Sequence, residues 1–341
     1  MPEDTYIQQR KADHITINLE KDVDSSLQNG LEAYHFRHNA LPEINLSDVD
    51  CTTELFGRKL GIPLLISSMT GGTEQARQIN RSLAVAVQHH HLSMGVGSQR
   101  VGIEQPELMS TFKVREIAPD ILLFANLGAI QLNYTYTVEH CLTAVDTLEA
   151  DALILHLNAL QEALMEDGNT HFNGLLKKIE QVCRRLPVPV VVKEVGWGIS
   201  AEVARQLADA GVRAIDVAGA GGTSWSEVER HRSPTEIGRQ TAAAFKGWGI
   251  PSAQALVEVH AALPKMPVIA SGGIRDGVEG AKCLALGASL VGMARPFLQA
   301  VSESEQALDE RIAIFKRQLR VSMFAAGAKD LKELSADKLT T

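Results

Sequence analysis

Apolar and polar positions change character near residue 60. From Ile62 onward, short apolar runs without alternation are each followed by a stretch of helical periodicity. That is the pattern of parallel strands buried on both faces and joined by crossover helices. The first strand is expected over Pro63–Ser68, with a helix near 74–90. Further strands are expected over Leu92–Gly95, Ile121–Ala125, Ala152–Leu157, Pro189–Val192, Ala214–Val217, Pro267–Ala270 and Ser289–Val291. A longer helical region broken at Trp248-Gly249-Ile250-Pro251 separates the sixth and seventh strands, and the tail from Glu303 reads as amphipathic helix. Eight strands, each followed by a helix, predict a (β/α)8 TIM barrel with an N-terminal extension. The expected division is an arm over 1–60 that covers the site and one catalytic barrel domain over 61–341.

In such a barrel the C-terminal ends of the strands face the active site. The fourth strand spends its length on packing, and its tip carries His156, Asn158, Gln161 and Glu162. That set reads as catalytic equipment, although a capped turn into the next helix would also explain it. After the seventh and eighth strands stand Gly272-Gly273 and Ala294-Arg295, where barrels commonly bind a phosphate through backbone N–H groups and a helix N-terminus. Lys193 ends the fifth strand. It could be a Schiff-base nucleophile or the counter-charge of a bound cofactor. Ser67 to Gly72, Ser98 and Asn126 crowd the same mouth with uncharged donors and acceptors. A phosphate, a central lysine and amide and hydroxyl groups suit flavin mononucleotide, with a sugar-phosphate lyase or isomerase as the alternative.

Composition narrows the partners. The 341 residues are 45% hydrophobic and 22% charged, with a net charge of −8, which argues against nucleic acid or an anionic membrane as partner. The N-terminus lacks the pattern of a signal peptide, and no apolar run reaches the roughly 18 residues of a membrane span. Cys51, Cys141, Cys183 and Cys283 are widely spaced and read as reduced thiols of a cytoplasmic protein. No Gly-x-Gly-x-x-Gly follows a strand, so a tightly bound dinucleotide is not indicated. Arg10, Lys11 and His14 form either a solvated helix face or an arm bringing cations to an anionic ligand. The triple His89-His90-His91 ends the first helix. Consecutive residues do not share a helix face, so the spacing argues against a metal site there and for placement at the surface or against the helix dipole.

Seven segments appear in order: Arg10 to His14, Ser67 to Gly72, Gly97 to Arg100, His156 to Glu162, Lys193 to Gly196, Gly219 to Trp225, and Ala294-Arg295. In this ordered set the chain resembles the type 2, flavin-dependent isopentenyl diphosphate isomerases, from about residue 6 to about 330. Ala159 departs from the resemblance, which more often has Pro there, and no catalytic residue is thereby put in doubt. The resemblance implies interconversion of isopentenyl and dimethylallyl diphosphate with FMN, Mg2+ and NADPH as a reductant that leaves no net redox change. It also implies a homotetramer or homo-octamer. Ser68, Met69, Thr70, Ser98, Asn126 and Thr223 would hold the flavin ring and ribityl chain, with Lys193 near N1 of the reduced ring. Gly272, Gly273, Ile274, Ala294 and Arg295 would bind the FMN phosphate. Arg10, Lys11, His14, Ser98, Gln99, Arg100, His156 and Asn158 would grip the substrate diphosphate, and Glu162 would ligate Mg2+. Gln161 would sit near the alkene and the flavin N5, orienting the substrate or relaying a proton.

Two other readings compete. An FMN-dependent 2-hydroxy acid oxidase or dehydrogenase on the same barrel needs a His base beside the flavin, and the sixth strand ends in Ala220-Gly221-Gly222 instead. A flavin-binding barrel without catalysis would have no use for four polar groups on one strand tip.

Overall fold

The computed structural model describes residues 13–341. Eight parallel strands close into a (β/α)8 TIM barrel: β1 (Leu64–Ile66), β2 (Ser93–Gly95), β3 (Leu122–Gly128), β4 (Ala152–His156), β5 (Val190–Lys193), β6 (Ala214–Asp216), β7 (Val268–Ser271) and β8 (Leu290–Met293). The ring closes where Val291, Gly292 and Met293 pair with Leu64, Leu65 and Ile66.

The lack of alternation in these strands has a simple cause. Leu65, Leu122, Phe124, Ile154, Val191, Ile269 and Leu290 fill the barrel interior. Their neighbours Leu64, Ile66, Leu123, Leu153, Leu155, Val190, Val192 and Val268 pack outward against the helices. Both faces are therefore apolar, and each fully buried Leu or Val side chain contributes roughly 1.5–3 kcal/mol.

Helices flanking the barrel among the described residues are α1 (Glu74–His90), α2 (Arg100–Glu104), α3 (Val138–Leu148), α4 (Ala159–Leu164), α5 (Leu175–Arg185), α6 (Ala201–Asp209), α7 (Trp225–Arg232), α8 (Glu236–Ala243), α9 (Ser252–Ala262), α10 (Gly277–Ala285), α11 (Arg295–Glu303) and α12 (Glu305–Ala325). In α1 the Thr73 hydroxyl caps the N-terminus by accepting from the Ala76 N–H, and Ala76, Ile79, Leu83 and Val87 form the buried stripe. None of the described helices is long and apolar enough to cross a membrane.

The structure differs from the sequence expectation at β3, which runs three residues past Ala125. Asn126, Leu127 and Gly128 pair with Ile154, Leu155 and His156, and the Gln99 side-chain carbonyl accepts from the Asn126 N–H. A polar side chain in the ladder disguised its last turn of pairing. The tail also departs from plain helix. After α12 it turns back, and Leu339–Thr340 pairs antiparallel with His35–Phe36.

Residues 13–60 reach both ends of the barrel. Helical segment 13–20 and the chain to Asn29 lie at the C-terminal mouth, where Ser25 N–H donates to Gly222 O and the Asn29 amide to Gly273 O. The hairpin of Thr53–Leu55 and Arg58–Leu60 lies at the opposite end. Its Leu55 and Leu60 complete the interior core, and Arg58 bonds Asp151 at the start of β4. Arg115 binds the same carboxylate at 2.9 Å.

Candidate active site

Four neighbouring strands bring their last residues to one level. Gly128 pairs with His156, His156 with Lys193, and Lys193 with Asp216. An imidazole, an ammonium and a carboxylate thus stand in one row at the rim where barrels place their chemistry. Over this row lies a cavity of about 780 Å³, within the roughly 300–1,000 Å³ of typical cofactor and ligand sites.

Asp216 belongs to no motif, and the sequence reading passed over it. The available signal was an acid inside the apolar run Ala214 to Val217. It is fully buried, and its Oδ1 accepts from the Ser271 hydroxyl at 2.6 Å and the Ala218 N–H at 3.3 Å. Burial pushes this carboxyl above its ordinary range, against the opposing pull of the Lys193 charge and those hydrogen bonds. Lys193 donates to the Glu194 carbonyl at 2.6 Å. An ammonium anchored this way and set beside a buried carboxylate suits a counter-charge better than a free nucleophile. Glu194 itself accepts three successive N–H groups, from Val195, Gly196 and Trp197, at 2.6–2.8 Å. Burial nonetheless lifts its carboxyl to about 7.

The tip of β4 opens a second cluster. His156 Nδ1 lies 2.9 Å from the Asn126 side-chain oxygen; an amide oxygen only accepts, so Nδ1 carries a proton. Asn158 donates to Gln161 Oε1 at 3.3 Å and Glu162 Oε1 at 2.9 Å. Gln161 then donates from Nε2 to Glu229 Oε1 at 2.9 Å, while Glu162 Oε2 accepts from the Asn169 N–H at 2.6 Å. The Gln161 amide is therefore held at both ends. His14 Nε2 stands 3.6 Å from Glu229 Oε1, with its ring edge-on to Trp225 at 5.0 Å.

Glu229 is the second residue that sequence reasoning missed, because it lies on α7 and meets Gln161 only through the fold. Burial pushes its carboxyl up, but His14, Arg232 and the Gln161 amide outweigh that and hold it at about 2. A carboxyl held below its unfolded value stabilises the fold at neutral pH and loses that contribution as pH falls from about 4.5 toward 2. Glu229→Gln is expected to lower stability at neutral pH by roughly 3 kcal/mol. Denaturant melts from pH 7 to pH 3 should show the difference shrinking; an equal loss at both ends would assign the side chain a packing role only.

Opposite this cluster lie the two strand ends expected to bind a phosphate. Gly272 and Gly273 have φ of 104° and 72°, and a Cβ on Gly273 would lie 2.1 Å from the Gly221 carbonyl oxygen. Only glycine fits that approach. Ala294 caps α11, Arg295 begins it, and both line the cavity with Ile274. The Ser67 and Ser68 hydroxyls are buried without a hydrogen-bond partner, and Met69, Thr70, Ser98 and Thr223 stand around the same cavity. Unpartnered hydroxyls beside a glycine cradle and a helix N-terminus fit a phosphate-bearing polar cofactor such as FMN. One carboxylate is already there: Asp24 pairs with the Arg295 guanidinium. Both are partly exposed, so the pair itself is weak. Asp24→Asn is expected to tighten FMN binding a few-fold, read as a lower Kd by flavin fluorescence; weaker binding would mean that the pair props the cradle open.

Among the described residues, the cavity lining includes His14, Ser68, Met69, Thr70, Ser98, Arg100, Asn126, His156, Asn158, Gln161, Glu162, Lys193, Thr223, Gly272, Gly273, Ile274, Ala294 and Arg295. Two of these are committed elsewhere as well. Arg100 leans on Glu104 at 2.8 Å, and the Thr223 hydroxyl donates to Asn18 at 3.4 Å. Gln99 is not among the lining residues. Its side chain is fully buried away from the cavity, donating to Ala144 O at 3.0 Å and accepting from Asn126 N–H. It ties α3 to β3. Arg10 and Lys11 lie outside the described residues. The buried Glu162 carboxylate and the unpartnered Asn158 Oδ1 supply the all-oxygen donors that Mg2+ takes.

Comparison with known proteins finds relatives along nearly the whole chain. The model of the FMN-dependent dehydrogenase family matches residues 132–341. Isopentenyl-diphosphate delta-isomerase of Nostoc sp. is 52% identical over 96% of this chain and 94% of its own length. Isopentenyl-diphosphate delta-isomerase of Rickettsia africae is 49% identical over 96% of each. Among solved structures, a mandelate oxidase variant with the monooxide FMN adduct superposes with a TM-score of 0.66 at 20% identity, over 95% of this chain and 94% of its own. A flavocytochrome b2 variant with sulfite bound gives 0.69 at 19% identity, over 99% and 85%. At such identities these two share the fold.

Proposed function

The chain belongs to the isopentenyl-diphosphate delta-isomerases, on an FMN-dependent barrel, and we propose from that premise that it shifts the double bond between isopentenyl and dimethylallyl diphosphate without net redox change. Mg2+ and NADPH, the latter as reductant only, complete the reading. The observation that carries it is the held array of Asn158, Gln161, Glu162 and Glu229 beside Lys193.

Moving the double bond adds a proton at the terminal carbon and removes one two carbons away. An alkene is a poor base, so the acid must be strong, close and sheltered from water. Reduced FMN, when bound, supplies that proton donor through its ring nitrogen N5. Lys193 balances negative charge at the cavity floor, with Asp216 behind it. Glu162, with Asn158, would hold Mg2+ through oxygen donors, and His156, Ser98, Arg100 and His14 would add donors to the substrate's diphosphate. Gln161 lies between these groups with its amide fixed by Asn158 and Glu229. A Glu229 carboxyl near 2 is a poor base, so Glu229 orients Gln161 and leaves proton transfer to others. The cytoplasm is part of this reading, supported by four free cysteines, and a homo-oligomer is its expected form.

The hydroxy acid oxidase reading loses ground, since the β6 end from Ala218 to Trp225 contains no His. The test is anaerobic turnover of isopentenyl diphosphate with FMN, Mg2+ and NADPH. Dimethylallyl diphosphate should form without stoichiometric loss of NADPH, and Gln161→Ala should keep FMN while losing turnover on the order of a hundred-fold. Stoichiometric oxidation of NADPH would overturn the reading, and unchanged turnover in the variant would remove Gln161 from it.

A further inference from the structure

A second cluster of metal-type ligands lies away from the catalytic cavity. His89 and His90 close α1, and Asp309 projects from α12, which packs against it. His90 Nε2 lies 2.7 Å and His89 Nδ1 3.4 Å from the same oxygen, Asp309 Oδ1. The two imidazole rings stand 4.6 Å apart at 48°, and the three ligand atoms all lie within 4.8 Å of one another. The sequence argued against ligation here because successive residues point to different faces. The fold removes that objection by setting the third ligand, from another helix, against both rings.

We propose that His89, His90 and Asp309 bind a divalent late transition-metal ion, with Zn2+ as the occupant. Donors about 2.0–2.2 Å from a tetrahedral Zn2+ are about 3.4 Å apart. His89 and Asp309 already have that separation, and a small rotation of His90 supplies the rest. Two imidazoles and one carboxylate suit Zn2+ and the neighbouring late metals, and exclude Mg2+ and Ca2+, which take oxygen. His89 is 72% exposed on its side chain, so water can enter and fill the fourth position. The C-terminal end of a 17-residue helix adds a negative potential that favours a cation. His91, at φ 52°, caps that end by donating to the Val87 and Gln88 carbonyls, so the last turn is fixed before any ion arrives. A metal there would add to the Ser82–Glu305 hydrogen bond between the same two helices and fasten the helix after β1 to the C-terminal helix.

Titration of ZnCl2 into the full FMN-loaded protein, in excess MgCl2 to saturate the oxygen site, tests this by calorimetry. One strong equivalent per chain is expected, with a rise in Tm. Asp309→Asn, which keeps the side-chain shape, and His90→Ala should each weaken that event at least about ten-fold and abolish the Tm rise, with isomerase turnover unchanged. No strong binding to the parent, or equal binding to parent and Asp309→Asn, would overturn the site. If His90→Ala fails to fold, Asp309→Asn decides alone.

Discussion

Turnover by a Glu162→Gln variant is expected to fall on the order of a hundred-fold or more, with FMN still bound. The substitution is nearly isosteric, so α4 keeps its place below the cavity mouth. What changes is charge. A carboxylate accepting from Asn158 and Asn169 becomes an amide with a single acceptor oxygen, and the negative ligand proposed for Mg2+ is gone. The Mg2+ concentration needed for half-maximal rate should rise steeply in the variant. If the Mg2+ dependence were unchanged, the ion would have to be held elsewhere and the donor pair Asn158–Glu162 would lose its assigned role.

Lys193→Met should lower turnover on the order of a hundred- to a thousand-fold. It replaces the ammonium at the end of β5 by an apolar chain of similar length and leaves the buried Asp216 without its charged neighbour. Because Lys193 is only half-buried, the loss of fold stability should be modest, about 1–3 kcal/mol. The readout that separates a charge role from a packing role is the reduction potential of bound FMN. It should move negative in Lys193→Met, where anionic reduced flavin loses its partner, and recover in part in Lys193→Arg. A potential equal to the parent's in both variants would contradict the counter-charge assignment.

Much of this was legible in the residues, and the failures have physical causes. The barrel announces itself because most strands are apolar on both faces and nearly every strand tip is polar. The close backbone approach at Gly272-Gly273 is legible because no other residue permits it. Asp216 and Glu229 were not legible, since each acquires meaning only from partners on other elements: Lys193 and Ser271 for one, Gln161 and His14 for the other. Gln99 has a bond the sequence did not show: its amide satisfies the backbone where β3 outruns its apolar run. The hairpin of Thr53–Leu55 and Arg58–Leu60 escaped because two short strands carry too few apolar residues to show a period. Its turn, with Phe56 and Gly57 at φ of 51° and 78°, was marked by the glycine alone.

That hairpin has a bearing on timing. With Leu55 and Leu60 seated in the barrel floor and Arg58 fastened to β4, traffic passes through the mouth under segment 13–29. On the proposed reading, flavin and diphosphate would share this one doorway, and a flavin held against Lys193 and Gly272-Gly273 would enter before the diphosphate and leave after it. Such an order would keep the cofactor through many catalytic cycles while product exchanges in each.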